Sequence, residues 1–269
     1  MQLTEDVVTR TQRTRRHLLK SAGIVAGVSA AAVLAKVPHA HAVGDCGQAV
    51  DPGQAQGCCF LEGVAILTSN GSKKVEQLAI GDLVITEFGG LRPIKWIGYY
   101  SYKKTDASKP WSRDALPVRV AQSAIAPGVP SADLYVSPAH ALYIDGVLVP
   151  ADSLINGTTI KIHEAEDRCE LKYYHIKLET HDIIYAEGTP CETLQEVTEA
   201  FVNFADYFRR YGDDAQRADP PCVPLLCFNG GRSQVKSRLR SALAPWLDRR
   251  QKLDVIRDKI EERGLVLQR

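Results

Sequence analysis

No surplus of positive charge remains once the first 42 residues are set aside. Residues 1–42 hold six of the 33 Lys and Arg and two of the 32 Asp and Glu, leaving 27 basic against 30 acidic residues in the rest. That balance argues against nucleic acid as a partner. The apolar run from Ala22 to Ala35 is short for a bilayer span and Lys36 ends it, so no stable membrane span is expected once that segment is removed. Zinc-type spacing is missing too. The seven cysteines stand at 46, 58, 59, 169, 191, 222 and 227, and no second His/Cys pair lies near Cys222 and Cys227. Neither a metal nor a cofactor is implied. A disordered composition is also absent, since hydrophobic residues make up 45% and charged residues 24% of the chain.

What is present begins with a leader. Arg15-Arg16 precede the short apolar run, and Ala40-His41-Ala42 offers the small-x-small pattern that a signal peptidase cuts. Residues 1–42 resemble a twin-arginine signal, which implies export of an already folded protein to the periplasm or beyond. Cleavage near Val43 would leave 227 of the 269 residues. In an oxidising compartment most cysteines are expected to pair, with at least one thiol left over from an odd number. Cys222 and Cys227 could close a small loop.

Residues 43–58 are polar and rich in Gly, Gln and Asp, and read as a linker. From Cys59 to about Gly188 the signal is β throughout: short β-branched and aromatic runs broken by turn residues. Asp145-Gly146, between Tyr143-Ile144 and Val147-Leu148-Val149, marks a two-residue hairpin. Many short strands without interleaved helices predict a mainly β class, a compact all-β domain over 59–191. Residues 192–269 read as a helical C-terminal region packed outside it. Thr193-Leu-Gln-Glu196 has the pattern of a capping box, followed at helical spacing by Leu194, Val197, Phe201, Phe204, Phe208 and Tyr211. Val235, Leu239, Leu243 and Trp246 share one side of a second helix, and Leu253, Ile256 and Ile260 mark a third.

The chemistry centres on Cys59, at the head of the apolar strand that leads to Thr68. A thiol there can attack the carbonyl of Cys58 and exchange a peptide bond for a thioester, although most unpaired cysteines are simply buried small hydrophobes. Three further features stand in order: Gly63 with the Gly81-Asp82 turn, Ser137-Pro-Ala-His140, and His181 ahead of Ile183–Ala186. Taken together they resemble the Hint (hedgehog/intein) superfamily over roughly residues 58–195, and within it the bacterial hedgehog-like branch.

The resemblance implies an autoprocessing site made of Cys59 as nucleophile, His140 as proton donor to the leaving nitrogen, Ser137 as a positioning hydroxyl, and His181. The acyl acceptor would be an external water, thiol or amine. Splicing is not expected, because Glu192 and Thr193 stand where an intein carries His-Asn. Val64 replaces the usual threonine. His175 stands where inteins often carry Asp or Cys; it and His163 otherwise read as ordinary polar side chains near turns, and Asp182 as a solvated neighbour. Two other functions compete: a Hint-fold scaffold or binding domain that no longer cleaves, and a Cys/His hydrolase acting on other substrates. The scaffold is the stronger, since no third orienting group is legible for a hydrolase.

Overall fold

The computed structural model describes residues 58–106, 108–212, 217–227 and 231–268. The expected signal segment and the linker up to residue 57 lie outside them. In chain order the early strands are β1 Phe60–Leu61, β2 Ala65–Thr68, β3 Gly71–Lys74, β4 Leu83–Thr86, β5 Gly90–Pro93, β6 Trp96–Lys103 and β7 Val118–Val120. The later ones are β8 Leu134–Val136, β9 Ala141–Ile144, β10 Val147–Pro150, β11 Ile160–Ile162, β12 Glu170–Lys177, β13 Ile183–Ala186 and β14 Thr189–Glu192. Helices α1 Phe204–Tyr211, α2 Gly231–Leu243 and α3 Lys252–Leu267 follow.

The strands form two sheets, one in the order β11-β7-β8-β1-β12-β6, the other β10-β9-β14-β13-β2-β4-β5 with β3 on β2. Their ladders are antiparallel, as hairpin-connected strands allow. β1 is only two residues long, yet it sits inside its sheet. Phe60 pairs with Val136 of β8 on one side and with Tyr174 of β12 on the other. The hairpin at Asp145-Gly146 forms as expected, with both residues at positive φ (51° and 82°) between β9 and β10.

The β class and the helical tail are as the sequence implies, but the tail's role differs. Thr193 does not open a helix. Its hydroxyl donates to the Asp182 carbonyl and accepts the Asp182 N–H, which fastens the chain beside β13. Residues 193–203 are irregular, and α1 starts only at Phe204. Buried Lys177 reinforces this path by donating to the carbonyls of Leu194 and Gln195 and pairing with Asp219. Here, local side-chain bonds to the sheet outcompete helical propensity.

Of the apolar residues read as a helical face, Leu194, Val197 and Phe201 are core, buried together with Tyr207 against Trp96, Tyr100 and Tyr173, while Phe204 and Tyr211 are partly buried and Phe208 is exposed. Phe201 meets Trp96 edge-on at 5.5 Å, and Gly98 makes the approach feasible. A Cβ at Gly98 would stand 2.5 Å from Trp96 and 2.6 Å from Phe201. Leu253, Ile256 and Ile260 of α3 join the main core beside Val120, Ile160 and Leu154. The tail is not packed outside the β-domain; it completes it.

Candidate functional site

β1 fixes the site because its neighbours carry the other groups. Antiparallel pairing of Phe60 with Val136 continues one step back, placing Cys59 opposite Ser137. The Cys59 N–H donates to Ser137 Oγ at 2.7 Å, and the Ser137 N–H returns a bond to the Cys59 carbonyl at 2.8 Å. The Cys58 thiol donates to the Ala139 carbonyl at 3.4 Å. The turn that follows is closed by the His140 N–H on the Ser137 carbonyl, 3.1 Å. The Ser137–His140 loop thus holds Cys59 by its N–H and its carbonyl, and Cys58 by its thiol. Ser137, expected as a positioning hydroxyl, holds the backbone.

His140 is fully buried, its ring 4.3 Å from that of Phe60. Neither ring nitrogen closes a hydrogen bond. The ring is nonetheless near enough to the Cys58 backbone for that contact to favour its protonated form. Only an acceptor has this effect, so the group concerned is the Cys58 carbonyl. Burial dominates and lowers the His140 pKa to about 4, with Glu192 opposing. The resting imidazole is neutral. Burial likewise pushes the Cys59 thiol well above its ordinary range; a side-chain hydrogen bond to Tyr100 works the other way, and Glu192 adds to the rise.

His181 belongs to an adjoining layer. Its Nδ1 accepts the Cys222 N–H at 3.0 Å, and its Nε2 faces Glu192 Oε2 at 3.9 Å. Burial disfavours charge on this ring, while the Cys222 side chain and Glu192 pull its pKa upward, a tendency that the backbone contact at Nδ1 opposes. The amide aimed at Nδ1 leaves no place for a second proton unless that peptide moves. The neutral Nε2–H tautomer is the form the backbone holds. Glu192 ties the layers together, because its Oε1 accepts the Ala141 N–H at 2.8 Å, one residue beyond His140.

The sequence reading missed three groups. His175, set aside there as an ordinary polar side chain, is 1% exposed with its ring 5.2 Å from His140 and both nitrogens unpaired. The register of β12 against β1 puts it across from Cys59, and burial together with the other two histidines lowers its pKa. Tyr100 and Glu192 are the others. Glu192 ends β14; its place in the sequence was visible, its burial was not. Asp182 also departs from its reading as a solvated group. It is buried, accepts the Phe88 and Ile183 N–H groups, and lies 3.3 Å from Arg92. His163 instead packs on Tyr135, 4.9 Å between centroids, away from this set.

Among the described residues no group of three or more His, Cys, Asp or Glu is arranged to hold a metal ion. No disulfide links two of the described cysteines, contrary to the pairing expected in an oxidising compartment, and Cys59 and Cys191 are sealed inside the cores.

Acid should loosen this site. The unfolded chain takes up a proton on His140 near pH 6.5, the folded protein only near 4. Between those values the unfolded state binds more protons, so stability falls as pH drops through that window. The loss from this ring is on the order of 2–3 kcal/mol. The melting temperature should fall between about pH 7 and pH 4.5, and fall less steeply for His140→Gln. Equal acid slopes would contradict a neutral buried ring.

Residues 58–198, more than half of the chain, match the family model of the Hint domain, and the protein belongs to that family. Among solved structures it is similar to the gp41-1 intein, with 12% identity and a TM-score of 0.36, covering 50% of this chain and 98% of that one. It is also similar to a bacterial intein-like domain from Clostridium thermocellum, at 15% identity and TM-score 0.34, covering 50% and 97%. A DnaB intein from Synechocystis gives 8%, 0.34, and 51% and 99%. No curated protein matches.

Proposed function

We propose that this protein cleaves its own chain at the Cys58–Cys59 peptide by an N-to-S acyl shift, without splicing, after export by a twin-arginine-type route. One observation carries the reading: the loop bearing Ser137 and His140 holds the Cys59 nitrogen through the Ser137 hydroxyl and sets the buried His140 ring near the Cys58 backbone. The Cys59 sulfur attacks the Cys58 carbonyl carbon, a C–S bond forms, and the C–N bond breaks. The thiol proton ends on the departing nitrogen, so the step is an isomerisation. The thiol holds its proton at neutral pH and His140 is neutral, so the imidazole receives the proton as sulfur attacks. An imidazolium whose pKa is about 4 then passes it readily to the amine. Water, a thiol or an amine next takes the acyl group, freeing a segment that ends at Cys58 and a chain that starts at Cys59. Splicing needs a side-chain amide that cyclises. Glu192 and Thr193 carry none, and both are engaged elsewhere.

Hydroxylamine tests this reading. Reduced, folded protein should yield a fragment whose first residue is Cys59 and a hydroxamate on Cys58; the same treatment after denaturation should yield neither. Cleavage at another bond, or equal cleavage when unfolded, would sink it.

A scaffold that keeps the peptide intact is favoured by one observation, the fully buried thiol whose pKa lies far above its ordinary range. Such a protein would survive hydroxylamine unchanged. Export has its own test. Replacing Arg15 and Arg16 with lysine preserves charge and should strand the precursor in the cytoplasm. Normal amounts of the double variant in the periplasm would contradict the route.

A further inference from the structure

The second tail helix presents its apolar side outward. Val235, Leu239 and Leu243 of α2 are 56–59% exposed, and Trp246 and Leu247 just beyond are 81% and 55% exposed. The opposite side is the one that is anchored. Ser237 is buried, and Arg240 donates to the buried Asp254 of α3 at 2.9 Å. The stripe is therefore not a core face displaced by a turn of the helix. Its charges have one sign. Residues 231–247 contain no Asp or Glu, while Arg232, Lys236 and Arg238 are exposed. Arg232 and Lys236 each precede a stripe residue by three positions, which sets them along its edge. The first acidic residue after the stripe, Asp248, is held by Arg250 at 2.8 and 3.0 Å.

We propose that α2 and the Pro245–Leu247 turn form a docking surface for an anionic lipid bilayer. Leucine and valine enter the acyl boundary, tryptophan sits at the headgroup level, and the basic edge meets lipid phosphates. A second copy of this chain suits the surface poorly, because stripe-to-stripe pairing would set arginine against arginine. Among the described residues no helix is long and apolar enough to cross a membrane, so the contact lies in the interface plane.

The full chain is used, and the readout is local to the stripe. Trp246 emission is obtained as the difference between wild type and Trp246→Phe, whose residue is largely exposed and leaves the fold intact. With vesicles holding about 30% phosphatidylserine the emission shifts to the blue and is quenched by bromine-labelled acyl chains. With phosphatidylcholine alone, or at high salt, it does neither. Arg232→Glu with Lys236→Glu should raise the lipid concentration for half-quenching at least roughly tenfold while the thermal melt stays cooperative. Trp246 emission unchanged by anionic vesicles overturns the proposal. So does a double variant that docks as well as wild type. Self-association in sedimentation that Trp246→Phe or the charge variant abolishes, with no lipid quenching, assigns the face to a second copy instead.

Discussion

Cys59→Ala is expected to abolish release of the segment ending at Cys58, under any nucleophile and at any pH. Its amide still donates to Ser137 and its neighbours still form β1, so the protein should fold and stay intact. His140→Ala keeps the thiol but removes the group that carries its proton to nitrogen. General acid–base catalysis contributes about 10²–10⁴-fold, and the loss should fall in that range. Cys58→Ala should cleave at close to the wild-type rate, because only the carbonyl of residue 58 reacts. The contrast separates adjacent cysteines that composition alone cannot tell apart. Rates are read from the fragment that begins at residue 59, with cooperative melting as the control for folding. A cleaving Cys59→Ala protein, or one that stops at Cys58→Ala, would move the nucleophile elsewhere.

Removing the chain after Glu192 should abolish cooperative unfolding altogether. The cut takes away Leu194, Val197, Phe201 and Tyr207 from over Trp96 and Tyr173, and Leu253, Ile256 and Ile260 from the main core. Each buried apolar side chain contributes about 1.5–3 kcal/mol. Seven of them match or exceed the roughly 5–15 kcal/mol by which a whole domain is stable. The truncated chain should show a broad, non-cooperative melt. A sharp transition near the wild-type temperature would mean that the β-sheets stand without the tail. Phe201→Ala in the full chain offers a graded version, with a loss of about 3–5 kcal/mol.

The sheets were legible because period-two alternation and turn chemistry are local. Asp145-Gly146 specifies its hairpin whatever surrounds it. The Ser137–His140 spacing was legible for a similar reason: four consecutive residues make one turn. The groups that escaped reading depend on pairing across long separations. Tyr174 opposite Phe60 is what turns His175 toward Cys59; the resemblance marked the position of His175 but not that contact. The helix expected from Thr193 failed through the same kind of cause. The spacing of Leu194, Val197 and Phe201 fits a helix, yet it also fits an irregular segment that drops side chains into gaps over β6. Thr193 on Asp182 and Lys177 on the Leu194 carbonyl decided between them. The outward face of α2 was half legible. The sequence placed Val235, Leu239 and Leu243 on one side, and only the structure told which way that side looks.

The claim that the Cys58–Cys59 bond is the labile one stands most directly on the intact mass of folded, reduced wild-type protein before and after a strong external thiol. Two masses should replace one, dividing the chain between residues 58 and 59, with the amino-terminal piece carried as a thioester of the added thiol. A single unchanged mass from protein that is demonstrably folded and reduced would contradict self-cleavage, and leave the Hint fold serving as a scaffold.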